Sequence, residues 1–267
     1  MRIVITGTSS GIGQYLAQQL AAQGHEIMGL ARSPQKAVFA STQCDVSDWT
    51  QVERAHATVA AQWPHADALI CAAAIQGAIG PAMSADPQQW SQTVRTNLDG
   101  TYFTIRAFWP LLQAAPRRAK IVCFSGGGAT QARSNFSAYA ASKTGVIRLV
   151  ENLAAEWAGL PVDINALAPG AINTAMTEET VRLGPEVVGQ VEFESAQHRL
   201  AEGGQSIEKA GSLVKYLLSE KSDGITGRLL AAQWDDWARL DTHAAALAKS
   251  DIYQLRRIVP QERGLKF

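Results

Sequence analysis

The chain has 267 residues, and 24 lysines and arginines balance 24 aspartates and glutamates. This length predicts one domain, or two at most, with a substantial buried core. The balanced charge gives no indication of binding to nucleic acid or to an anionic membrane surface, and no apolar run approaches the length of a transmembrane helix.

Three cysteines, Cys44, Cys71 and Cys123, lie in or beside apolar strand-like runs. An odd number without a disulfide-framework spacing is typical of reduced thiols, so we expect a cytoplasmic protein. The first predicted strand begins at Arg2 and leaves no room for a signal peptide. We expect no metal site.

Short apolar strands alternate with helical patterns. The predicted strands are residues 2–6, 25–30, 38–44, 67–71, 120–124, 162–167 and 226–232. The predicted helices are residues 13–23, 90–97, 102–112, about 138–158 and 206–219, with a further helical pattern around 52–59. This alternation predicts an α/β fold, a single Rossmann-type doubly wound parallel sheet with helices on both faces. We assign residues 1–232 to this single Rossmann-type domain. Residues 233–267 form a C-terminal extension, packed on the same domain or on a neighbouring subunit.

A glycine-rich turn follows the first strand and precedes the first helix. Gly7 permits a tight turn, Gly11 allows the backbone to approach a pyrophosphate, and Gly13 allows the helix to pack on the strand. The N–H groups at the helix N-terminus can then bind phosphate. The same loop contains Ser9, Ser10 and Ile12.

Arg32 follows the second strand, where an NAD-binding fold places an acidic residue for the ribose 2′-hydroxyl. Here that position is Ala31. A guanidinium beside it suits a 2′-phosphate, and Lys36 is a second candidate. The sequence therefore predicts that NADP(H) is preferred, with NAD(H) as the alternative; an ordinary solvated loop arginine is the other interpretation.

Other chemistry-bearing residues also follow predicted strands. They are Asp45 and Val46; Ala72, Ala73 and Ala74; Ser125; and Pro169 and Gly170. Ligands of open parallel sheets bind outside the carboxyl ends of the strands. We therefore expect these residues to meet along one cofactor site.

Tyr139 and Lys143 stand four positions apart on the longest predicted helix, with Ser137 as its predicted N-cap. This spacing places a phenol and an ammonium on one helical face. A nearby positive charge favours the phenolate, which brings the phenol within reach of acid–base chemistry.

These motifs resemble the classical short-chain dehydrogenase/reductase family over residues 1 to about 232. The matching segments are Thr6–Gly13, Cys44–Val46, Asn97, Tyr139 with Lys143, and Pro169–Thr174. The resemblance implies hydride transfer between a nicotinamide and a carbonyl or alcohol carbon, with Tyr139 as acid–base. It implies that Lys143 binds the nicotinamide ribose and lowers the tyrosine pKa, that Asn97 holds a relay water, and that Ile172 and Thr174 lie on the nicotinamide side.

Three features depart from the family pattern. Cys71-Ala72-Ala73-Ala74 replaces Asn-Asn-Ala-Gly, and AAQWDDW with a tail of about thirty residues replaces the usual Asp-Gly-Gly ending. The usual catalytic serine lies thirteen residues before the tyrosine, which is Gly126 here (139 − 126 = 13). Ser125 lies one residue earlier and can act only if the glycine loop carries an extra residue.

Residues 175–204 are polar and predict a lid over the pocket, and their mixed charges favour a polar, sugar-like or keto substrate. The alternatives are a 3-oxoacyl (acyl-carrier or CoA) reductase and a non-catalytic NADP-binding regulatory protein. The apolar helix at 102–112 predicts a homodimer or homotetramer. For the tail we consider two roles, a structural one and contact with substrate through Asp235, Asp236, Arg256 or Arg257.

Overall fold

The computed structural model describes residues 1–33 and 38–266. Within these ranges, seven strands form one parallel sheet in the order β3-β2-β1-β4-β5-β6-β7. The strands are β1 (Arg2–Thr6), β2 (Glu26–Ala31), β3 (Ala40–Gln43), β4 (Ala68–Cys71), β5 (Ala119–Phe124), β6 (Val162–Ala168) and β7 (Leu229–Ala231). The strand order reverses between β1 and β4, which confirms the predicted doubly wound fold.

Helices cover both faces of this sheet. They are α1 (Gly11–Ala22), α2 (Trp49–Ala60), α3 (Pro87–Val94), α4 (Gly100–Gln113), α5 (Ser137–Glu156), α6 (Ala175–Leu183), α7 (Pro185–Val188), α8 (Gln190–Glu202), α9 (Ile207–Leu218) and α10 (Ala244–Leu247). Alternate residues of a strand face opposite sides. Val4 accordingly packs in a core with α2, α4 and α5, whereas Ile3 and Ile5 pack in a second core with α1 and α9. In the described chain, no helix combines the length and apolar character needed to cross a bilayer.

Two strands at the edges of the sheet are shorter than predicted. The third predicted strand, 38–44, is reduced to Ala40–Gln43, which pairs with β2 on one side. The seventh, 226–232, is reduced to Leu229–Ala231 because side chains replace part of the ladder. The Thr226 hydroxyl accepts from Ile164 N (3.0 Å), and Arg228 N donates to Asn165 Oδ1 (3.0 Å).

The helix boundaries also differ at three places. The helices predicted at 90–97 and 102–112 form one continuous run, joined by a π-helical turn at Arg95–Asp99. Gly100 does not break it, because its role is close packing: an added Cβ would lie 2.7 Å from Val46 Cγ2. α1 begins at Gly11, not at 13.

Ser137 is the first residue of α5 and not its N-cap, a position taken by Phe136. The Ser137 hydroxyl instead accepts a hydrogen bond from Trp90 Nε1 at 3.1 Å. The prediction was wrong because a tertiary contact to α3 uses the hydroxyl that local capping would need.

The C-terminal extension wraps around the β7 edge of the sheet. Leu240 and Leu247 are buried in the core formed with α9. The chain then crosses to the other face, where Leu229 N donates to Tyr253 O and Leu255 N donates to the Glu151 carboxylate. The extension therefore covers the edge strand, whose backbone groups would otherwise be exposed.

Candidate active site

A cleft of about 930 Å³ runs along the carboxyl ends of the strands. Predicted site residues that line it are Gly7, Ser9, Ser10, Gly11, Ile12, Gly13, Arg32, Asp45, Val46, Ala72, Ala73, Ala74, Ser125, Tyr139, Pro169, Gly170, Ile172 and Thr174. Asn97 and Lys143 do not line the cleft formed by the described residues; they lie behind its wall. Among all the residues that the structure describes, no group of three or more His, Cys, Asp or Glu side chains is placed to hold a metal ion.

The glycine turn packs directly against the end of β4. Gly7 has φ +76°, and a Cβ there would lie 2.8 Å from Ala73 Cα, so a side chain would disrupt the contact. The Thr6 hydroxyl accepts from the N–H groups of Ala72 and Ala73, each at 3.1 Å. α1 begins beside this contact, and its first turn contains no acidic residue. This bare backbone fits a pyrophosphate at a helix N-terminus.

The opposite side of the turn suits the adenosine part of a dinucleotide. Ala31 is buried, whereas Arg32 is exposed and lines the cleft. Asp45 is held by the Ser47 backbone N–H (2.9 Å) and hydroxyl (2.7 Å). Lys36, the second candidate for a 2′-phosphate, lies outside the described residues. Together with the glycine turn, these residues fit a nicotinamide dinucleotide.

Tyr139 brings an acid–base group into the middle of the cleft. It lies in the first turn of α5, and only 8% of it is exposed. Burial raises the pKa of its phenol above the ordinary value, while the positive charge of Arg133 opposes that shift. A Cβ added at Gly126 would lie 2.4 Å from the Tyr139 hydroxyl oxygen. A serine therefore cannot occupy position 126 while the tyrosine keeps this place.

Lys143 lies one helical turn after Tyr139 and is almost fully buried. Its Nζ donates to Phe124 O at the end of β5 (2.8 Å) and lies 5.9 Å from the centroid of the tyrosine ring. Burial lowers the pKa of this ammonium to about 8, and the neighbouring thiols of Cys123 and Cys71 act in the opposite direction.

Ser125 directly follows β5 and precedes Gly126. It is 3% exposed and lines the cleft, and its hydroxyl has no hydrogen-bond partner among the described residues. Its backbone N–H pairs with Leu167 O at 2.8 Å, so the residue continues the strand ladder. A buried hydroxyl without a partner, at the wall of a ligand cleft, is free to bind a ligand.

Asn97 lies in the π-helical turn, and its side chain is fully engaged with the protein. Its Oδ1 accepts from Ile75 N, and its Nδ2 donates to Ile75 O and to the Ser142 hydroxyl (2.9, 2.9 and 3.0 Å). Its backbone carbonyl accepts from the Thr101 hydroxyl at 2.8 Å. The side chain therefore ties the segment after β4 to α5.

The substrate end of the cleft contains residues that motif analysis did not identify as site residues. Arg133 pairs with Glu192 of α8 through two hydrogen bonds of 2.8 and 2.9 Å, and this pairing lowers the pKa of the Glu192 carboxyl. Gln76, Arg199 and Trp234 also line this end. The signal for Gln76 was its position just after the small residues at the end of β4.

Several polar residues of the predicted lid and of the tail lie outside this cleft. They are the lid residues Glu178, Glu179, Arg182 and His198, and the tail residues Asp235, Asp236, Arg256 and Arg257. Asp235 accepts from Ala231 N at 2.6 Å, so it closes the end of β7. Of the described tail residues, Trp234 lines the cleft.

A family model described as short chain dehydrogenase matches residues 1–182. The chain belongs to the short-chain dehydrogenase family. This oxidoreductase is 34% identical over 240 residues to galactitol 2-dehydrogenase (L-tagatose-forming) of Cereibacter sphaeroides, covering 85% of this chain and 91% of the relative. It is 31% identical over 185 residues to D-threitol dehydrogenase of Mycolicibacterium smegmatis, covering 65% and 70% of the two chains.

Solved structures of this family show the same fold. The aldohexose dehydrogenase of Thermoplasma acidophilum superposes on this short-chain dehydrogenase with a TM-score of 0.77 at 25% identity, covering 86% of this chain and 91% of the other. Levodione reductase superposes with the same TM-score and identity, covering 92% and 98%. The predicted family membership and the predicted enzyme class are confirmed.

Proposed function

We propose that this enzyme uses NADP(H) to interconvert a secondary alcohol and a ketone on a polyol or sugar-like substrate. The observation that carries the proposal is the buried Tyr139 phenol in the wall of the cleft, with the Lys143 ammonium 5.9 Å from its ring. The cofactor supplies the hydride acceptor or donor at its nicotinamide ring. The residues of the chain must then position the substrate and move one proton.

Tyr139 is the proposed acid–base. It takes the hydroxyl proton when the alcohol is oxidised and returns a proton to the oxygen when the ketone is reduced. Because burial raises the pKa of this phenol, a neighbouring cation is needed to stabilise its charged form. Arg133 provides such a charge, and the Lys143 ammonium lies 5.9 Å from the centroid of the tyrosine ring.

Ser125 is the proposed partner of the reacting oxygen. Its buried hydroxyl has no internal partner among the described residues, and it lies in the same cleft as Tyr139. Hydrogen bonding to the substrate oxygen would satisfy this group and orient the alcohol. The resemblance implies that Asn97 holds a relay water, but in this structure its side chain is bonded to Ile75 and Ser142. We assign it a positioning role at the wall of the cleft.

The cofactor assignment rests on the residues of the turn and of β2. Gly7, Gly11 and Gly13 provide the pyrophosphate site, and Lys143 is assigned to the nicotinamide ribose. Ala31 and Arg32 favour a 2′-phosphate over a free ribose hydroxyl. One such arginine–phosphate interaction is worth roughly 1.5–3 kcal/mol, or about ten- to a hundredfold in Kd. NAD(H) remains the weaker alternative.

The substrate class follows from the polar end of the cleft and from the relatives. Gln76, Thr180, Glu192 and Arg199 give the cleft a polar lining, which also contains apolar residues such as Met176 and Val188. Two of the relatives are named for galactitol and D-threitol, which are both polyols. This combination favours a polyol or a hydroxyketone over a 3-oxoacyl substrate.

The test is a steady-state panel of galactitol, threitol, simple alcohols and a 3-oxoacyl thioester, each with NADP(H) and NAD(H). We expect turnover with polyols and a lower Kd for NADPH than for NADH. Tyr139→Phe should lower kcat by about 10²- to 10⁴-fold and leave the NADPH Kd nearly unchanged. Cofactor binding without turnover of any substrate would favour the regulatory alternative, and preferred turnover of the thioester would favour the acyl reductase.

A further inference from the structure

Gln76 is a buried polar residue of the substrate end that the proposed mechanism does not use. It follows Ile75, just beyond the three alanines after β4, and it lines the cleft while only 6% of it is exposed. Its side chain reaches across to helix α6 of the lid, where Nε2 lies 3.4 Å from the Thr180 hydroxyl oxygen.

The contacts of Thr180 fix the orientation of the Gln76 amide. The Thr180 hydroxyl donates its one proton to Met176 O at 3.0 Å. It can therefore only accept from Gln76, so the NH₂ end of the amide must face it. This orientation leaves the carbonyl oxygen, Oε1, on the other side of the amide group.

Gln76 Oε1 has no hydrogen-bond partner in the part of the chain that the structure describes. Buried amide oxygens are rarely left without a donor, because removing them from water is costly unless a hydrogen bond replaces it. The groups around the substrate end include a second such atom, the hydroxyl oxygen of Ser125. Ser125 is assigned to the reacting oxygen, which leaves the amide oxygen to be explained.

We propose that Gln76 determines specificity by accepting a hydrogen bond from a second substrate hydroxyl, distinct from the one that faces Tyr139. The substrate class is then a diol, a higher polyol or the corresponding hydroxyketone. This inference rests on the proposed function. A site built to bind a hydroxyl discriminates strongly against an analogue that lacks it, because its own polar group is then left unpaired. Thr180 is a positioning residue that acts through the amide of Gln76.

The test compares butane-2,3-diol with butan-2-ol, which share a carbon skeleton and differ by one hydroxyl. We expect wild-type kcat/KM to be higher for the diol. Gln76→Met has a similar length but lacks the acceptor, and it should lower the diol-to-monoalcohol ratio of kcat/KM about ten- to a hundredfold. Thr180→Val, which removes the anchor of the amide, should lower the same ratio by a smaller factor, and Thr180→Ser should retain it.

Gln62→Met is the matched control. Gln62 is exposed on the far side of the fold after α2, and its side chain bonds to Thr58 O. This variant should keep the wild-type ratio. The inference is overturned if Gln76→Met lowers kcat/KM for both alcohols equally, or if the diol has no advantage with the wild-type enzyme. A higher Kd for NADPH in Gln76→Met, with an unchanged diol-to-monoalcohol ratio, would also overturn the inference. Gln76 Oε1 would then bind the cofactor and not the substrate.

The same measurements separate this inference from the proposed function. If the wild-type enzyme oxidises butan-2-ol with NADP⁺ and Gln76→Met leaves the ratio unchanged, the inference fails and the proposed activity stands. If neither these alcohols nor the polyols are oxidised with either cofactor, the proposed function fails and the inference fails with it.

Discussion

At the scale of single residues, the position of the active-site serine separates this enzyme from the usual family pattern. Position 126 carries glycine, and an added Cβ there would approach the Tyr139 hydroxyl to 2.4 Å. Ser125, one residue earlier, has the buried hydroxyl that lines the cleft. The glycine is thus a condition for the place of Tyr139, and Ser125 is our proposed source of the serine function.

We therefore predict that a serine placed at the usual family position, 126, does not restore the function of Ser125. Ser125→Ala should lower kcat by tenfold or more, because the reacting oxygen loses its hydrogen-bond partner. Gly126→Ser should also lower kcat, since its Cβ displaces the phenol from the cleft. The double variant Ser125→Ala/Gly126→Ser should show no rescue.

Steady-state kinetics with a polyol measure all three variants, with Tyr139→Phe as the inactive reference. Thermal unfolding of each variant checks that a lower kcat is not caused by loss of the folded structure. Full activity of the double variant would show that position 126 can supply the hydroxyl, and normal turnover of Ser125→Ala would remove Ser125 from the mechanism.

At the scale of elements, the C-terminal extension is held by Arg228, which directly precedes β7. Arg228 is 5% exposed and donates to the carbonyl oxygens of Leu247, Ser250 and Ile252. These contacts fix the crossing of the extension around β7. They lie away from the cleft, to which the described part of the extension contributes Trp234.

We predict that Arg228→Ala lowers the free energy of unfolding by about 3 kcal/mol, because three carbonyl groups lose the donor that binds them. The kcat/KM for a polyol should change little at a temperature where the variant is folded. Urea unfolding and steady-state kinetics measure the two quantities. Arg256→Ala is the matched control: its solvent-exposed ion pairs with Asp251 and Glu262 should leave the free energy of unfolding nearly unchanged. A loss of kcat/KM without a loss of stability would assign the extension to the substrate site.

The elements also show how far the sequence determines the structure. The alternation of apolar strands with helical patterns, together with the glycine turn, was enough to predict the parallel sheet. Both signals depend on local spacing. The start of β7 and the N-cap of α5 were predicted wrongly, because Arg228 and Ser137 form their deciding hydrogen bonds with residues distant in sequence. The polar end of the cleft was missed for the same reason: Gln76 meets Thr180 across 104 positions.

At the scale of the whole molecule, the open question is self-association. The sequence of helix 102–112 contains seven large apolar residues, which predicts more apolar surface than packing against the sheet requires. Ile105, Phe108, Leu111 and Leu112 are in fact buried in the core of their own chain. Phe103 and Trp109 are partly buried, so the apolar surface is smaller than the sequence indicated.

What remains on α4 and at the C-terminal end of α5 is an aromatic patch, defined by Tyr102, Phe103, Trp109 and Trp157. Tyr102 is 45% exposed, and Trp109 stacks on Trp157 with ring centroids 4.2 Å apart. The stack joins the two helices into one surface. Aromatic side chains are enriched in the cores of protein interfaces, where they bury large areas at little entropic cost.

We predict that this patch pairs with its own copy across a two-fold axis, so that the enzyme is a homodimer or a homotetramer. Light scattering after size exclusion at micromolar concentration should give two or four times 28.6 kDa. Tyr102→Arg should reduce the mass by a factor of two, since a two-fold axis brings the added charges of both copies to one interface. Glu53→Arg on the exposed side of α2 is the control for added charge and should leave the mass unchanged. A wild-type mass of one chain would contradict the prediction.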